Sequence, residues 1–382
     1  MKKIITVIGA RPQIIKSAAF SRAVRTKFPT ELKEIIVHTG QHYDENMSAV
    51  FFEEMQIPKP DYNLEVGSGS HAKQSANMMV KLEEIFLEEV PDGVLVYGDT
   101  NSTLAAAVVA SKINIPLIHV EAGLRSFNKS MPEEVNRIVC DHLSTLLFSP
   151  TSSGYKNLIR EGFSEDQTSC SADTPNIYHC GDIMYDNTVY FSEMAKRSNS
   201  VIQNEGLADV PFFLCTIHRG ANTDDRRKLT SIFSALLQIL ENHKSHHIVL
   251  PLHPRTEKCM EFNLDKDILK KVKSQQRFHL IEPVSYLNIL ALENNCELVI
   301  TDSGGLQKEA YFNEKACVIL RPETEWIEIV ENGNAIIADA DEMKIVKGVK
   351  NFIENKSSLT FPSLYGDGKA AEFIAQEILR TL

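Results

Sequence analysis

Short runs of β-branched and apolar residues recur along the chain, each followed by a longer stretch with apolar positions at helical spacing. Residues 4–8 lead into a helical pattern through about Arg25, and residues 34–37 into another after Gln41. Residues 93–96 precede a helix over about 102–112, followed by residues 115–119, a helix near 133–143, and residues 147–148. These strand runs are nearly all apolar instead of alternating, as expected of central parallel strands covered on both faces. Repeated strand–helix–strand units predict doubly wound sheets. Over about 162–181 the rhythm stops; the stretch is polar and breaker-rich, and predicts an exposed connection. A second alternation follows at residues 212–217, a helix over about 226–241, then 248–252, 279–281, 298–300, a helix after Ser303, and 316–320. The tail, 369–382, has helical composition and follows a Gly-rich break at 365–368. The pattern predicts an α/β protein with two Rossmann-like domains facing each other across a cleft.

Length agrees with two domains, since 382 residues exceed one ordinary core. With 40 Lys+Arg against 51 Asp+Glu, the net charge of -11 argues against a general affinity for nucleic acid or an anionic membrane surface. No apolar stretch approaches the roughly 18–20 residues that span a bilayer. The N-terminal apolar run is too short for a signal peptide and reads as a buried first strand. Seven scattered cysteines without a CxxC pair predict buried thiols in a reducing, cytoplasmic setting, and no zinc site or disulfide framework.

In doubly wound sheets, ligands bind beyond the carboxyl ends of the strands. The first strand ends in Gly9-Ala10-Arg11-Pro12, with Lys16 a turn further on. Gly9 permits a tight turn, and the following helix presents N–H groups and a positive dipole end to an anion. The segment is neither a Walker loop nor a GxGxxG fingerprint, which argues against an NTPase or a typical dehydrogenase. Later strand ends carry His38-Thr39-Gly40-Gln41-His42, then Gly98-Asp99, then His119-Val120-Glu121, with Pro132-Glu133-Glu134 soon after. Each acid has a plain structural reading. Asp99 suits a helix N-cap, and Glu133 with Arg137, four apart, suits a surface ion pair. Three acids at the ligand-facing ends of one sheet point further, to a site. The second half adds His218-Arg219, His253-Pro254-Arg255 and Asp302-Ser303-Gly304-Gly305, a corner whose glycines let backbone amides approach a phosphate. Glu309, farther along that helix, is placed to bind hydroxyls such as those of a ribose.

Taken in order, GARPQIIK, HTGQH, GDTNST, HVEAGLRS, PEEVNR, HR, HPR, DSGGLQKE and Arg321 resemble the non-hydrolysing UDP-N-acetylglucosamine 2-epimerases, from residue 3 to about 335. The resemblance implies a GT-B-like arrangement: an N-terminal domain over 1–182, a UDP-binding domain over 183–365, and a C-terminal helix, 366–382, returning to the first. It implies an isomerase that inverts C2 of a UDP-linked 2-acetamido sugar by eliminating UDP to a 2-acetamidoglucal and adding it back. No cofactor or metal is expected, because UDP is both leaving group and returning nucleophile. Asp99, Glu121, Glu133 and His218 match the catalytic positions. Arg11, Lys16, Gln41, Arg137, Arg219, His253, Arg255, Ser303, Gly304, Gly305, Glu309 and Arg321 match or neighbour positions around sugar, diphosphate and ribose. The expected partners are a UDP-sugar, UDP and a second copy in a homodimer, with the product serving surface polysaccharide synthesis.

Departures from the best-known bacterial members are a loop two residues shorter between Glu121 and Glu133, Tyr97 before Gly98-Asp99, and Trp326 where a second Arg is typical. Together they resemble the branch acting on UDP-2,3-diacetamido-2,3-dideoxy-glucuronate. The Gln41–Met47 stretch argues against activation by a second substrate molecule. Gly9-Ala10-Arg11-Pro12 weighs against a hydrolysing relative, and the first-domain acids weigh against a GT-B glycosyltransferase.

Overall fold

A computed structural model of the chain describes residues 1–40, 56–165, 170–197 and 200–382. They form two compact units, Met1–Asn187 with Ser363–Leu382, and Thr188–Pro362. Each is built on its own parallel sheet.

In the first unit the strands are β1 (Lys2–Ile8), β2 (Leu32–His38), β3 (Tyr62–Asn63), β4 (Gly93–Tyr97), β5 (Leu117–Val120), β6 (Leu146–Ser149) and β7 (Asn176–His179). Their order is β3-β2-β1-β4-β5-β6-β7, with Ile5 paired to Ile35 on one side and Val94 on the other. The order reverses at β1, which makes the β1/β4 border the point where ligands are expected to lie. All five residues of β4 are buried, as the unbroken apolar run predicts. Ile5, Val7, Val37, Val94 and Val96 pack with Met78, Leu82 and Phe86 of the helix His71–Glu89.

The second unit holds β8 (Phe212–Thr216), β9 (His247–Pro251), β10 (Phe278–Ile281), β11 (Leu298–Thr301), β12 (Ala316–Ile319) and β13 (Ala335–Ile337), in the order β10-β9-β8-β11-β12-β13. Its core gathers Phe213, Cys215, Ile248, Leu250, Leu298 and Ile300 against Leu229, Phe233 and Leu236 of the helix Arg226–Asn242.

The C-terminal helix, Ala370–Thr381, belongs to the first unit and packs on the helix Arg11–Lys27. Its first amides, at Ala370 and Ala371, donate to the Asp186 carboxylate at 3.1 and 2.8 Å. Burial still pushes Asp186 up to about 6. Phe373 sets its edge against Tyr178, with ring centroids 5.8 Å apart.

Two expectations change. The stretch 162–181 is not connection throughout, because β7 lies within it and pairs with β6, burying Asn176, Ile177 and Tyr178. Four residues between polar flanks carry too little apolar pattern to announce an edge strand. The helix His71–Glu89 has no counterpart in the sequence reading, and the helix expected directly after Gln41 lies outside the described residues.

Candidate active site

In the first unit, the carboxyl ends of β1, β4 and β5 meet around a set of charged side chains. Gly9 is required there, since a Cβ on it would strike the hydroxyls of Ser102 and Thr39, themselves bonded at 2.8 Å. Gln13 stitches the corner together. Its carbonyl accepts from Gly9 N at 2.9 Å and Ala10 N at 3.1 Å, while its amide donates to the Tyr97 carbonyl and to Thr103 Oγ1, both at 2.9 Å.

Lys16, on the second turn of the helix Arg11–Lys27, forms an ion pair with Glu121, and both side chains are largely buried. Arg137 pairs with Asp99. Burial raises the Asp99 carboxyl above its ordinary value; Arg137 and Lys16 oppose that, while Glu121 and Glu133 add to it. The electrostatics therefore group Lys16, Asp99, Glu121, Glu133 and Arg137 in one site. Glu121 adopts φ +77°, a left-handed conformation that is strained for a side-chain-bearing residue. Arg11 and Glu133 each stand exposed in the first turn of a helix, Arg11–Lys27 and Pro132–Leu143. Gln41 lies outside the described residues.

Both plain structural readings of these acids give way. Thr100, not Asp99, caps the helix Asn101–Lys112 by accepting from Thr103 N. Arg137 pairs with Asp99 and with Glu134 at 3.0 Å, so the expected Glu133–Arg137 pair is replaced by one on the buried face. Glu134 is 1% exposed and also accepts Ser126 N and Phe127 N, both at 2.9 Å. Burial alone would raise its carboxyl, but these donors and Arg137 hold it below the usual range. It fixes the loop between Glu121 and Glu133, a task the sequence reading gave to no residue.

In the second unit, His218 and Arg219 follow β8, His253 and Arg255 follow β9, Ser303 to Gly305 follow β11, and Arg321 follows β12. The residue that organises them is Asp302, which the sequence reading placed in the corner without a role. Fully buried, its carboxylate accepts His218 N at 3.1 Å, Arg219 N at 3.0 Å and Asn222 Nδ2 at 3.1 Å, and lies 3.2 Å from His218 Nδ1. A carboxylate beside Nδ1 favours the tautomer with the proton on Nδ1, which leaves Nε2 to act as a base. Burial lowers its pKa, Arg219 and His253 lower it further, and Asp302 opposes them.

Ser303 caps the helix Gly304–Phe312. A Cβ on Gly304 would lie 3.6 Å from Arg321 Nη1, 3.8 Å from Glu325 Oε2 and 3.9 Å from Arg219 Nη2, so two guanidinium groups and one carboxylate stand at this N-terminus, and the two cations suit a phosphate. Arg321 is held by a two-point pair with Glu325 at 3.0 and 2.8 Å. Trp326 donates from Nε1 to the Gly304 carbonyl at 3.0 Å, and Lys308 sits 3.9 Å from its ring centroid. Glu309, 5% exposed, acts electrostatically on Tyr286 and Glu293. Two further residues follow β9. His253 caps the helix Pro254–Asn263 by accepting Arg255 N at 3.2 Å, and exposed Arg255 pairs with Asp224 at 2.6 Å.

Comparison with known proteins decides what such a site belongs to. Residues 25–379 match the family model described as UDP-N-acetylglucosamine 2-epimerase. The chain belongs to that family. As an epimerase family member it is an isomerase. A Methanococcus maripaludis protein named "UDP-N-acetylglucosamine 2-epimerase homolog" is 44% identical over 381 residues, covering 100% of both chains. The UDP-2,3-diacetamido-2,3-dideoxy-D-glucuronate 2-epimerase of Pseudomonas aeruginosa is 42% identical, covering 99% of each. Among solved structures, the Methanocaldococcus jannaschii UDP-GlcNAc 2-epimerase in complex with UDP-GlcNAc and UDP matches with a TM-score of 0.85 at 39% identity, over 100% of both chains. The fold and family expectations from the motifs therefore hold.

Proposed function

We propose that this protein is a non-hydrolysing UDP-sugar 2-epimerase that interconverts UDP-N-acetylglucosamine and UDP-N-acetylmannosamine. The observation that carries this reading is the grouping of three carboxyl groups with two cations, Lys16–Glu121 and Arg137–Asp99 beside Glu133, at the carboxyl ends of one sheet. Epimerisation at an unactivated C2 needs proton acceptors and donors held around one carbon.

In the forward half-reaction, a carboxylate of this set takes the C2 proton as the C1–O bond breaks and its electron pair leaves with UDP. The product pair is a 2-acetamidoglucal and UDP. In the return, UDP oxygen re-forms the bond to C1 while an acid delivers a proton to the opposite face of C2. Asp99, whose carboxyl burial raises, and Glu121, paired with Lys16, are the two acids proposed to share the removal and return of the proton. His218, Arg219, Arg321 and the amides of Ser303 to Gly305 stabilise the charge on departing UDP, and Glu309 binds the ribose.

The 42% identical Pseudomonas aeruginosa relative favours one second reading, a UDP-2,3-diacetamido-2,3-dideoxy-glucuronate substrate. Parallel proton NMR assays on the two sugars separate these. Turnover of UDP-N-acetylglucosamine supports the first, turnover of the glucuronate alone supports the second, and free UDP with N-acetylmannosamine would establish hydrolysis. We further propose a homodimer in the cytoplasm. Val80 and Leu87, seven apart on the helix His71–Glu89, are 61% and 62% exposed, which suits an apolar contact with a second copy. Light scattering on the purified protein decides this. Free thiols at all seven cysteines suit a reducing compartment.

A further inference from the structure

Behind the acids of the first unit lies a buried charge network that no step of the reaction uses. His119, on β5, is fully buried, as is Asp141 on the helix Pro132–Leu143. His119 Nε2 lies 2.8 Å from the carbonyl oxygen of Gly98, which can only accept, so Nε2 carries a proton. His119 Nδ1 lies 2.6 Å from Asp141 Oδ1. The other oxygen of Asp141 accepts Gly123 N at 3.1 Å and lies 2.7 Å from Arg125 Nη1, and this guanidinium charge keeps Asp141 ionised. Nδ1 therefore carries a proton too, and His119 is an imidazolium. Arg125 is anchored in turn by Glu161, at 2.8 and 2.6 Å.

The groups this network grips are the peptides on either side of the proposed acids. Gly98 precedes Asp99, and Asn136 Nδ2 holds the Asp99 carbonyl from the other side at 2.8 Å. Gly123 and Arg125 follow Glu121, so the turn after β5 is tied to the same carboxylate. Three residues here sit at positive φ: Gly98 at +61°, Glu121 at +77° and Gly123 at +78°. Left-handed backbone at a residue with a side chain costs about 1–3 kcal/mol and persists only where surrounding contacts over-determine it.

We infer that His119 and Asp141 are positioning residues for C2 proton transfer, a buried imidazolium–carboxylate clamp that joins the ends of β4 and β5 and so fixes Asp99 relative to Glu121. This rests on the assignment of Asp99 and Glu121 to the acid–base chemistry. Neither clamp residue touches the sugar; both act through the backbone that carries the acids.

Three measurements on the full chain test it. Nitrogen-15 NMR of the histidine rings, with His119 assigned by its loss in His119→Gln, is expected to show a ring protonated on both nitrogens across neutral pH. A neutral His119 would overturn the clamp whatever the enzyme's substrate. Turnover of UDP-N-acetylglucosamine by His119→Gln is expected to fall about 100-fold, the scale of a 1 Å misplacement of a reacting group. The ratio of released 2-acetamidoglucal to epimer is expected to rise, because a misplaced acid returns the proton late. A purely structural role removes active molecules without moving that ratio, so lost turnover at an unchanged ratio would overturn the inference, as would wild-type turnover. The pair His119→Gln with Asp141→Asn removes both charges together and carries the same test without an unpaired buried charge. If the wild-type enzyme turns over neither UDP-sugar, the proposed reaction fails, and the ring protonation still decides the clamp.

Discussion

His218 Nδ1 stands 3.2 Å from the carboxylate of Asp302, which also accepts the backbone amides of His218 and Arg219. One buried acid at the end of β11 thus orients both the proposed catalytic histidine at the end of β8 and its neighbouring arginine. Replacing Asp302 with Asn removes the negative charge beside His218 Nδ1. Turnover is predicted to fall by about 10²-fold or more, the contribution typical of a positioned acid–base group. Steady-state kinetics on Asp302→Asn checks this, and near-wild-type kcat would leave Asp302 a merely structural residue.

Glu121 and Glu309 are predicted to separate chemistry from nucleotide binding. Glu121→Gln should abolish turnover while calorimetry finds UDP bound as in the wild type, since Glu121 belongs to the first unit and the phosphate cradle to the second. Glu309→Ala should weaken UDP itself. Unchanged UDP affinity in that variant would remove the ribose contact.

Glu134 is predicted to matter through Arg137 and the 126–127 loop. Glu134→Ala leaves buried Arg137 with one carboxylate fewer and two loop amides without their acceptor. A loss of about 3 kcal/mol in unfolding free energy is expected, with a raised KM because the loop borders the sugar acids. Denaturant titration and kinetics test the two effects, and a variant within about 0.5 kcal/mol of wild type, the range of an inert surface change, would contradict the first.

Much of this site was legible in the sequence. Asp99 and Glu121 each follow closely on a strand whose apolar run ends at a turn, so the strand pattern placed them at ligand-facing ends. Glu133 and Glu134 show why the rest was not. They are adjacent and alike in chemistry, and only the helix phase separates an exposed acid from one that is 1% exposed and holds a loop. His119 and Asp141 are 22 positions apart, and no spacing rule joins a strand residue to the third turn of a later helix. The pairing of Arg255 with Asp224 was hidden for the same reason, since the partner comes from a segment 31 positions earlier.

A pH dependence of stability follows from Glu34, whose carboxyl is pushed up to about 7 chiefly by burial, against a hydrogen bond from Thr6 at 2.6 Å. The folded state therefore holds a proton that the unfolded chain releases above about 4.5. This makes Glu34 a contribution to stability that is present at low pH and lost as pH rises toward 7. Relative to wild type, Glu34→Gln should become progressively more stable between pH 5 and pH 8. Thermal unfolding of both proteins across that range checks the sign, and a constant difference in Tm would contradict it.

Elimination and re-addition at C2 are tested most directly by a proton NMR time course of the protein with UDP-N-acetylglucosamine in D2O, without added cofactor. The expected product is UDP-N-acetylmannosamine carrying deuterium at C2, because the proton removed and the one returned pass through exchangeable carboxyl groups. Epimer that keeps its original hydrogen at C2 would contradict elimination and re-addition by these acids.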